Sequence, residues 1–211
     1  MDTARLIEAL QRADSAAGLL SATRALAGCG DPGAAPALVE VLGFNNPGAA
    51  VAAVDGLIAL GTAAVPALLQ LDPQNYGARA WAVRALAGIG DVRGLELLED
   101  ALGSDVAASV RRAAAKGLGQ LRLGALPAED QLNVQERCLR ALLAATVDGE
   151  WVVRYAVAVG LESLGLSLRG NAAAAGHGQA RRGLEALAEP TREEVLVVRL
   201  RASVALTRLK G

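Results

Sequence analysis

The chain has 211 residues, with 22 acidic and 21 basic side chains, and its formal net charge is −1. Although 53% of the residues are hydrophobic, only 2% are aromatic, so Ala, Leu and Val must supply most of the core. This composition favours closely packed helices over a β-sandwich, and the lack of basic excess excludes a typical nucleic-acid partner.

The N-terminal segment MDTARLIEALQRAD is charged and amphipathic and lacks the apolar stretch of a signal peptide. No stretch reaches about 18 uninterrupted apolar residues, so we expect no membrane insertion. Cys29 and Cys138 lie far apart in the sequence, which fits neither a disulfide framework nor a metal-site spacing. We therefore expect a cytoplasmic protein.

The stretch FNNPGAAVAAVDGLIALG, residues 44–61, predicts a complete helix. Asn46 can cap its N-terminus, and Pro47 suits the first helical position. Gly61 suits a left-handed residue just past its end. Inside the helix nearly every residue is small and apolar except Asp55, which calls for an explanation.

One phrase recurs along the chain, at first about every 30 residues and later at longer intervals. It reads LAGCG, LIALG, LAGIG, LGQL, LESLG and LTRLKG, starting at Leu26, Leu57, Leu86, Leu118, Leu161 and Leu206. Small residues stand four and one positions before each leucine in most copies, as Ala82 and Ala85 do before Leu86. Such a stripe on one helix face allows a neighbouring helix to approach closely.

Amphipathic segments lie between these phrases, at 33–43, 62–71, 94–102, 135–146 and 180–189. Helical pairs with this period stack into a solenoid. We predict an all-α chain, an α-solenoid of about six HEAT-like helical hairpins. We expect one domain over 1–211, regular over about 2–121 and looser over about 122–211.

The stretches 121–130 and 167–179 are interpreted as longer connections, the second Gly/Ala-rich and mobile. His177, the only histidine, falls in the second stretch, and we attribute its presence there to chance. With a single histidine, a His-based metal cluster or a Ser/His/Asp triad is not expected. Both cysteines are interpreted as structural, and Gly-rich phosphate loops are absent from the sequence.

The position two residues before each leucine forms a register of charges along the chain. It contains Arg24, Asp55, Arg84, Lys116, Val159 and Val204. Neighbouring helices pack roughly 10 Å apart, so Asp55 is expected to belong to a ladder with one charge per repeat. The alternative is an ordinary solvated helix face, because charges on exposed helix positions are common.

A second register lies seven residues before the leucine and contains Arg79, Arg111, Arg154 and Arg199. An arginine at such a position often bonds a helix terminus, which is the structural alternative to ligand binding. Four of the five aromatic residues form two pairs next to arginines, Tyr76 with Trp81 and Trp151 with Tyr155. These pairs predict a flat ligand or a partner anchor, or they fill gaps between hairpins.

Four longer phrases carry a family resemblance. They are VLGFNNPGAAVAAVDGLIALG, NYGARAWAVRALAGIGDVRGLELL, SVRRAAAKGLGQL and EWVVRYAVAVGLESL. The chain strongly resembles the E/F-type phycobilin lyases, HEAT-like repeat proteins of cyanobacteria and their relatives, and specifically the shorter F-type subunit. The match is good over roughly residues 2–165 and loose over the rest.

The resemblance implies a lyase that works as a heterodimer with an E-type subunit. Such proteins bind a linear tetrapyrrole (a bilin) and attach it by a thioether to a cysteine of a phycobiliprotein, typically the phycocyanin α subunit. The nucleophile then belongs to the acceptor, which fits the missing triad. The bilin is a transient substrate, so no permanently bound cofactor and no metal are expected.

A bilin needs an acceptor for its pyrrole N–H groups, cations for its propionates and an aromatic wall. We assign Asp55 to the pyrrole nitrogens, as the best catalytic candidate in a chain whose catalytic residues are otherwise unknown. Arg84, helped by Arg24 or Lys116, is assigned to the propionates. Trp81 and Tyr76 are assigned to the wall; the secondary candidates are Arg79, Trp151, Arg154 and Tyr155.

Relatives of the F-type that also isomerise the bilin carry an adjacent His-Cys motif, which this sequence lacks, so isomerase activity is not expected. Val159 and Val204 are either a docking place for the E-type subunit or are covered by the chain's last helices. Two other functions stay open. One is a non-catalytic scaffold that binds phycobiliproteins during phycobilisome assembly or degradation, and the other is a generic repeat adaptor.

Overall fold

A computed structural model describes residues 2–72, 74–169 and 174–210. These residues form helices, and no strand occurs among them. The α-helices are α1 (Thr3–Gln11), α2 (Ala16–Ala27), α3 (Ala35–Val41), α4 (Pro47–Leu60), α5 (Val65–Leu69), α6 (Tyr76–Ile89), α7 (Leu95–Ser104), α8 (Ala108–Leu118), α9 (Ala128–Ala144), α10 (Trp151–Ser167), α11 (Ala174–Ala188) and α12 (Leu196–Lys210). The predicted all-α solenoid of helical hairpins is confirmed.

The helices divide into two compact units, one ending at Gly94 and the other beginning at Leu95. In the first unit, the hairpins are α1/α2, α3/α4 and α5/α6, and the second helices α2, α4 and α6 pack side by side. In the second unit, the hairpins are α7/α8, α9/α10 and α11/α12, and α8, α10 and α12 form the corresponding row. The single domain expected over 1–211 stays a prediction.

The predicted helix boundaries around residue 47 are confirmed. The Asn46 Oδ1 accepts a hydrogen bond of 3.0 Å from the Ala49 N–H, and α4 begins at Pro47. The glycines that close the first three copies of the repeated phrase all have positive φ, +71° at Gly30, +63° at Gly61 and +68° at Gly90. Gly61 and Gly90 therefore directly follow α4 and α6 at positions where a residue with a Cβ would be strained. Gly30 lies in the turn after α2, which ends at Ala27.

The small-residue stripe is buried wherever a second helix has neighbours on both sides. In α6, for example, Ala82, Ala85 and Leu86 are fully buried. A Cβ placed on Gly56 of α4 would lie 2.6 Å from the Cβ of Ala27 on α2, so this glycine allows close helix packing. Ala25 of α2 is exposed instead.

The predicted connection over 167–179 is wrong at both ends. Ser167 still belongs to α10, and α11 already begins at Ala174, while 170–173 lie outside the described residues. Alanine has the highest helix propensity, so an Ala-rich stretch can extend a helix. His177 consequently lies on α11, with its Nδ1 2.9 Å from the Gly165 carbonyl oxygen, and not in a linker.

The other late boundaries also shift towards longer helices. The connection expected over 121–130 ends before Ala128, where α9 begins. The helices expected over 135–146 and 180–189 are parts of α9 and α11. These helix starts lie in stretches of polar or small residues, and neither start carries a capping residue as clear as Asn46.

One helical run, Pro47–Leu69, is long and apolar enough to cross a membrane, with a mean hydropathy of 1.8. It contains α4, a 3₁₀ turn and α5, and the chain bends at the positive φ of Gly61. Ala53 and Leu57 within it are fully buried in the first unit. The run is apolar because its buried side chains belong to the core of a packed hairpin.

Candidate functional site

Asp55 lies in the middle of α4 on its exposed side. Val51 and Ile58, one helical turn before and after it, are also exposed, while Val54 and Gly56 next to it are buried. Among the residues that the structure describes, none forms a hydrogen bond or an ion pair with the Asp55 carboxylate. This exposed side chain is thus a charged acceptor between two apolar side chains.

Arg24 and Arg84 occupy the two helices that flank Asp55. Arg24 lies on α2 and Arg84 on α6, both are exposed, and α4 packs between these two helices. A Cβ on Gly88 of α6 would lie 2.4 Å from the Ile58 Cδ1, so a glycine is required for Ile58 to lie against α6. Arg24, Asp55 and Arg84 are thus exposed residues of three helices that pack side by side, and their joint role as a ligand site stays a prediction.

Trp81 supports Arg84. The Arg84 Cζ lies 5.0 Å from the centroid of the Trp81 ring, within the range of a cation–π contact. The half-buried Trp81 ring contacts the guanidinium without consuming its N–H donors. Tyr76 begins α6 and is 78% exposed, so its ring is available to a ligand or a partner.

The remaining candidates, from the charge register and the second aromatic pair, lie in the second unit. Lys116 on α8 and Trp151 at the start of α10 are exposed, and Tyr155 and Val159 on α10 are half-buried. Val204 on α12 is exposed, so the chain's last described helix leaves it uncovered. The register therefore passes from a cation on α8 to apolar side chains on α10 and α12.

The second arginine register forms a repeated ion-pair motif. Arg111 donates from Nε and Nη2 to the Asp148 carboxylate at 2.7 and 3.0 Å. Its Nη1 donates to the carbonyl oxygens of Asp105 and Val106 at 2.8 and 3.1 Å. Arg111 thus joins the start of its own helix, α8, to the loop before α10.

Arg154 repeats this arrangement one hairpin later. It donates from Nε and Nη2 to Glu193 at 2.5 and 2.8 Å, and from Nη1 to the carbonyl oxygens of Asp148 and Gly149 at 2.7 and 3.3 Å. This geometry favours the structural alternative for Arg154 over bilin binding. Arg79, on α6 of the first unit, is half-buried at the matching register position.

The contacts with arginine shift the pKa values of the acidic partners Glu193 and Asp148. Hydrogen bonds from Arg154 outweigh the effect of burial and lower the pKa of the Glu193 carboxyl. Burial would raise the pKa of the Asp148 carboxyl, but hydrogen bonds from Arg111 and from the Glu150 N–H lower it. Neither acid was predicted from the sequence. Each stands six residues before an arginine of the register, a spacing that marks the acid but not the arginine of the preceding hairpin with which it pairs.

A third buried ion pair lies between α10 and α12. Glu162 is nearly fully buried and accepts hydrogen bonds from Arg201 and Arg208. Burial would raise the pKa of Glu162, but the two arginines lower it. We assign this cluster to packing of the last hairpin, because it is enclosed by its own helices.

Neither cysteine is an evident nucleophile. Cys138 is buried on α9, and desolvation raises the pKa of its thiol to about 12, so the thiol stays protonated at neutral pH. Cys29 follows α2 and is half-buried. Within the described ranges, no group of three His, Cys, Asp or Glu side chains could hold a metal ion.

Two cavities of the second unit contain none of the candidate residues. One of about 280 Å³ is lined by Gln131, Gln135 and Cys138 among others, and one of about 310 Å³ includes Glu99 and Val147. Both are at the lower end of the range for ligand pockets, about 300–1,000 Å³. The open surface over α2, α4 and α6 is therefore the better candidate site for a long, flat ligand.

Comparisons with known proteins agree with this architecture. A family model described as HEAT repeats matches residues 65–162, and one described as PBS lyase HEAT-like repeat matches residues 19–44. The chain is 58% identical over 161 residues to the phycocyanin alpha phycocyanobilin lyase CpcF of Synechocystis sp., covering 76% of this chain and 75% of the relative.

Two further comparisons extend over most of the chain. It is 45% identical over 210 residues to a phycocyanobilin lyase subunit beta of Thermosynechococcus vestitus, covering 98% of this chain and 96% of the relative. A chain in the structure of the complex of CpcE and CpcF of phycocyanin lyase from Nostoc sp. PCC7120 is 41% identical, with a TM-score of 0.73. That match covers 83% of this chain and 99% of the other. The resemblance carried by the four quoted phrases is confirmed.

Proposed function

The chain belongs to the family of phycocyanobilin lyase beta subunits, and from this premise we propose that it attaches a bilin to a phycobiliprotein. It acts as a heterodimer with an E-type subunit, and the acceptor is a cysteine of a phycobiliprotein, in the first place the phycocyanin α subunit. The bilin is bound transiently as a substrate, with no permanently bound cofactor, and the reaction takes place in the cytoplasm.

The observation that carries this proposal is the unpaired Asp55 carboxylate between Arg24 and Arg84. A linear tetrapyrrole has N–H donors in its middle and two propionates on one edge, and this surface offers an acceptor between two cations. Val51 and Ile58, exposed on both sides of Asp55, provide apolar contact for the pyrrole rings. The pattern of charge on the surface therefore complements the pattern of charge on the ligand.

Each residue has a defined role in the proposal. Asp55 accepts hydrogen bonds from the pyrrole nitrogens, and Arg84 and Arg24 bind the propionates. Trp81, under Arg84 at 5.0 Å, keeps the guanidinium in place, and Tyr76 contacts the exposed face of the pigment. Lys116, Trp151 and Tyr155, in the second unit, stay separate predicted bilin-binding residues.

The attachment step is an addition in which no redox partner is needed. The sulfur of the acceptor cysteine forms a bond to a carbon of the bilin's ethylidene group as the π bond of its C=C is broken, and the thiol proton is transferred to the pigment. This chain supplies no nucleophile for the step, in agreement with the high pKa of the Cys138 thiol. Its contribution is to bind the pigment in one orientation and to shield it from other thiols.

Co-expression in a bilin-producing heterologous host tests this function. The host carries the E-type subunit and a phycocyanin α subunit, with this chain present or omitted, and the products are denatured before analysis. We expect covalent pigment on the acceptor only when this chain is present. If the acceptor stays unpigmented while the chain still binds it, the proposed lyase is contradicted and the non-catalytic scaffold takes its place.

A further inference from the structure

Asp55 on α4 and Arg84 on α6 carry opposite charges but do not pair. Each stands two residues before the leucine of its repeat, and their helices pack side by side. Both side chains are exposed, and neither has a hydrogen-bond or ion-pair partner in the part of the chain that the structure describes. Because opposite charges at neighbouring positions attract each other, their separation requires a cause.

The groove between α4 and α6 is narrow enough for a side chain to span it. A Cβ on Gly88 of α6 would lie 2.4 Å from the Cδ1 of Ile58 on α4 and 2.8 Å from its Cγ1. Ile58 stands three residues after Asp55, and Gly88 stands four residues after Arg84. Residues at these spacings lie on the same helix face, one turn apart, so Asp55 and Arg84 flank the same groove one turn earlier. Since arginine is longer than isoleucine, the Arg84 side chain can also span it.

The Trp81 ring accounts for the separation of the two charges. Trp81 precedes Arg84 by three residues on α6, so the two side chains are neighbours on one helix face. The Arg84 Cζ lies 5.0 Å from the ring centroid, and the ring itself is half-buried. A cation–π contact and an ion pair contribute similar free energies at exposed sites. The ring therefore competes with the Asp55 carboxylate for the guanidinium.

An ion pair between Asp55 and Arg84 would close the site to a ligand. The carboxylate oxygens would accept hydrogen bonds from the guanidinium, and a ligand would have to break this pair before it could bind. Groups that are free and already oriented cost a ligand less free energy on binding. A ligand with both N–H donors and a carboxylate gains most, because it uses both groups.

We propose that Trp81 is a positioning residue, which keeps Arg84 on its ring and so prevents an internal ion pair with Asp55. Trp81 acts on the ligand through Arg84 and is not itself a wall that contacts it. The benefit to bilin binding rests on the proposed function. The competition between the ring and the carboxylate rests on the geometry of α4 and α6 alone.

Nuclear magnetic resonance tests this competition without a ligand or a partner. The full chain is prepared with isotope-labelled arginine, and the Arg84 Nε–H resonance is assigned by its loss in Arg84→Lys. We expect Asp55→Asn to leave this resonance in place when Trp81 is present and to shift it in the Trp81→Leu chain. Trp81→Met, which also removes the ring, carries the same expectation and replaces Trp81→Leu if that chain does not fold. An Arg84 resonance that does not respond to Asp55→Asn in the chain without the ring overturns the inference.

Pigment titration tests the consequence for binding in the assembled heterodimer. We expect Trp81→Leu to raise the Kd for free phycocyanobilin about tenfold. Trp81→Phe is the matched control, because it retains a ring beside Arg84, and it should raise the Kd much less. In the Asp55→Asn background no carboxylate can capture Arg84, so adding Trp81→Leu should leave the Kd of that variant unchanged.

The two backgrounds separate positioning from direct contact. If Trp81→Leu raises the Kd equally with Asp55 and with Asn at position 55, Trp81 contacts the pigment directly and the inference is overturned. If the wild-type heterodimer does not bind phycocyanobilin at all, the proposed function is wrong. The Arg84 resonance still decides the inference in that case, because its measurement involves no pigment.

Discussion

Arg154 on α10 and Glu193, in the loop before α12, form a nearly buried ion pair that joins two successive hairpins. Two hydrogen bonds of 2.5 and 2.8 Å connect the guanidinium to the carboxylate, and the Glu193 side chain is only 2% exposed. Because Arg154 also bonds two carbonyl oxygens before α10, it fixes the loops of both hairpins. The same relationship joins Arg111 to Asp148.

Removing Arg154 should destabilise the protein. We expect Arg154→Ala to lower the free energy of unfolding by about 2–4 kcal/mol, because the buried Glu193 carboxylate loses its cationic partner. Urea unfolding followed by circular dichroism measures the change. The control is Arg181→Ala, which removes an exposed pair with Glu185 on α11 and should cost no more than about 0.5 kcal/mol. Equal effects of the two substitutions contradict a structural role for Arg154.

The lowered pKa values of Glu193 and Asp148 predict a loss of stability in acid. The folded state binds these protons more weakly than the unfolded state, so the stabilisation is present above the ordinary carboxyl pKa values, 4.5 for Glu193 and 3.8 for Asp148. It is lost as the pH falls through the lower values of the folded state. Urea unfolding between about pH 6 and pH 3 should show this decline.

The Arg154→Ala variant separates this effect from general acid denaturation. Because the variant lacks the partner that lowers the pKa of Glu193, its unfolding free energy should fall less steeply with decreasing pH than that of the wild type. Parallel pH profiles for the two proteins would mean that the ion pair does not contribute to the acid sensitivity.

The contact between Gly119 and Gly160 should tolerate no added methyl group. A Cβ on Gly119 would lie 2.4 Å from the Gly160 Cα, which is backbone and cannot rotate away. We expect Gly119→Ala to lower the free energy of unfolding by about 1–3 kcal/mol through overpacking. Gly103→Ala, on α7 with nothing within 4 Å of its new Cβ, should instead stabilise the protein by up to about 1 kcal/mol. Thermal unfolding of both variants measures the contrast.

Arg84 should recognise the pigment through its propionates. We expect Arg84→Gln in the assembled heterodimer to weaken binding of free phycocyanobilin by about tenfold, since a hydrogen bond between charged groups is worth roughly 1.5–3 kcal/mol. Absorbance titration measures the Kd. With the dimethyl ester of the pigment, the wild type and the variant should bind equally, because no carboxylate is left to pair. If Arg84→Gln weakens the affinity for the free acid and for the dimethyl ester equally, Arg84 has another role.

The fold was largely predictable where local chemistry determines it. Asn46, Pro47 and Gly61 mark the ends of α4 because capping and positive φ depend on residue type alone. The Ala-rich start of α11 was missed, since no capping residue marks it and alanine fits both a loose connection and a helix. The partners of Arg111 and Arg154 could not be identified without pairing distant loops, because each acid lies in the following hairpin.

The candidate site was predictable to a smaller extent. The repeat register placed Arg24, Asp55 and Arg84 on neighbouring helices, because equal positions in stacked repeats lie side by side. Helical periodicity also placed Trp81 beside Arg84. The exposed pair Val51 and Ile58 was not recognised, since apolar residues on α4 fit a core position as well as an open surface.

The most direct test of the account is covalent pigment attachment by the Asp55→Asn variant, which keeps the shape of the side chain and removes its charge. The variant is co-expressed with the E-type subunit and the acceptor. The control variant is Glu40→Gln, which changes an exposed carboxylate on α3. We predict that Glu40→Gln pigments the acceptor as the wild type does. Asp55→Asn should attach less than about a tenth of the wild-type amount of pigment, while its melting temperature stays unchanged. A tenfold lower rate of attachment corresponds to a loss of about 1.4 kcal/mol of transition-state stabilisation. Normal pigmentation by a folded Asp55→Asn variant would contradict the central claim.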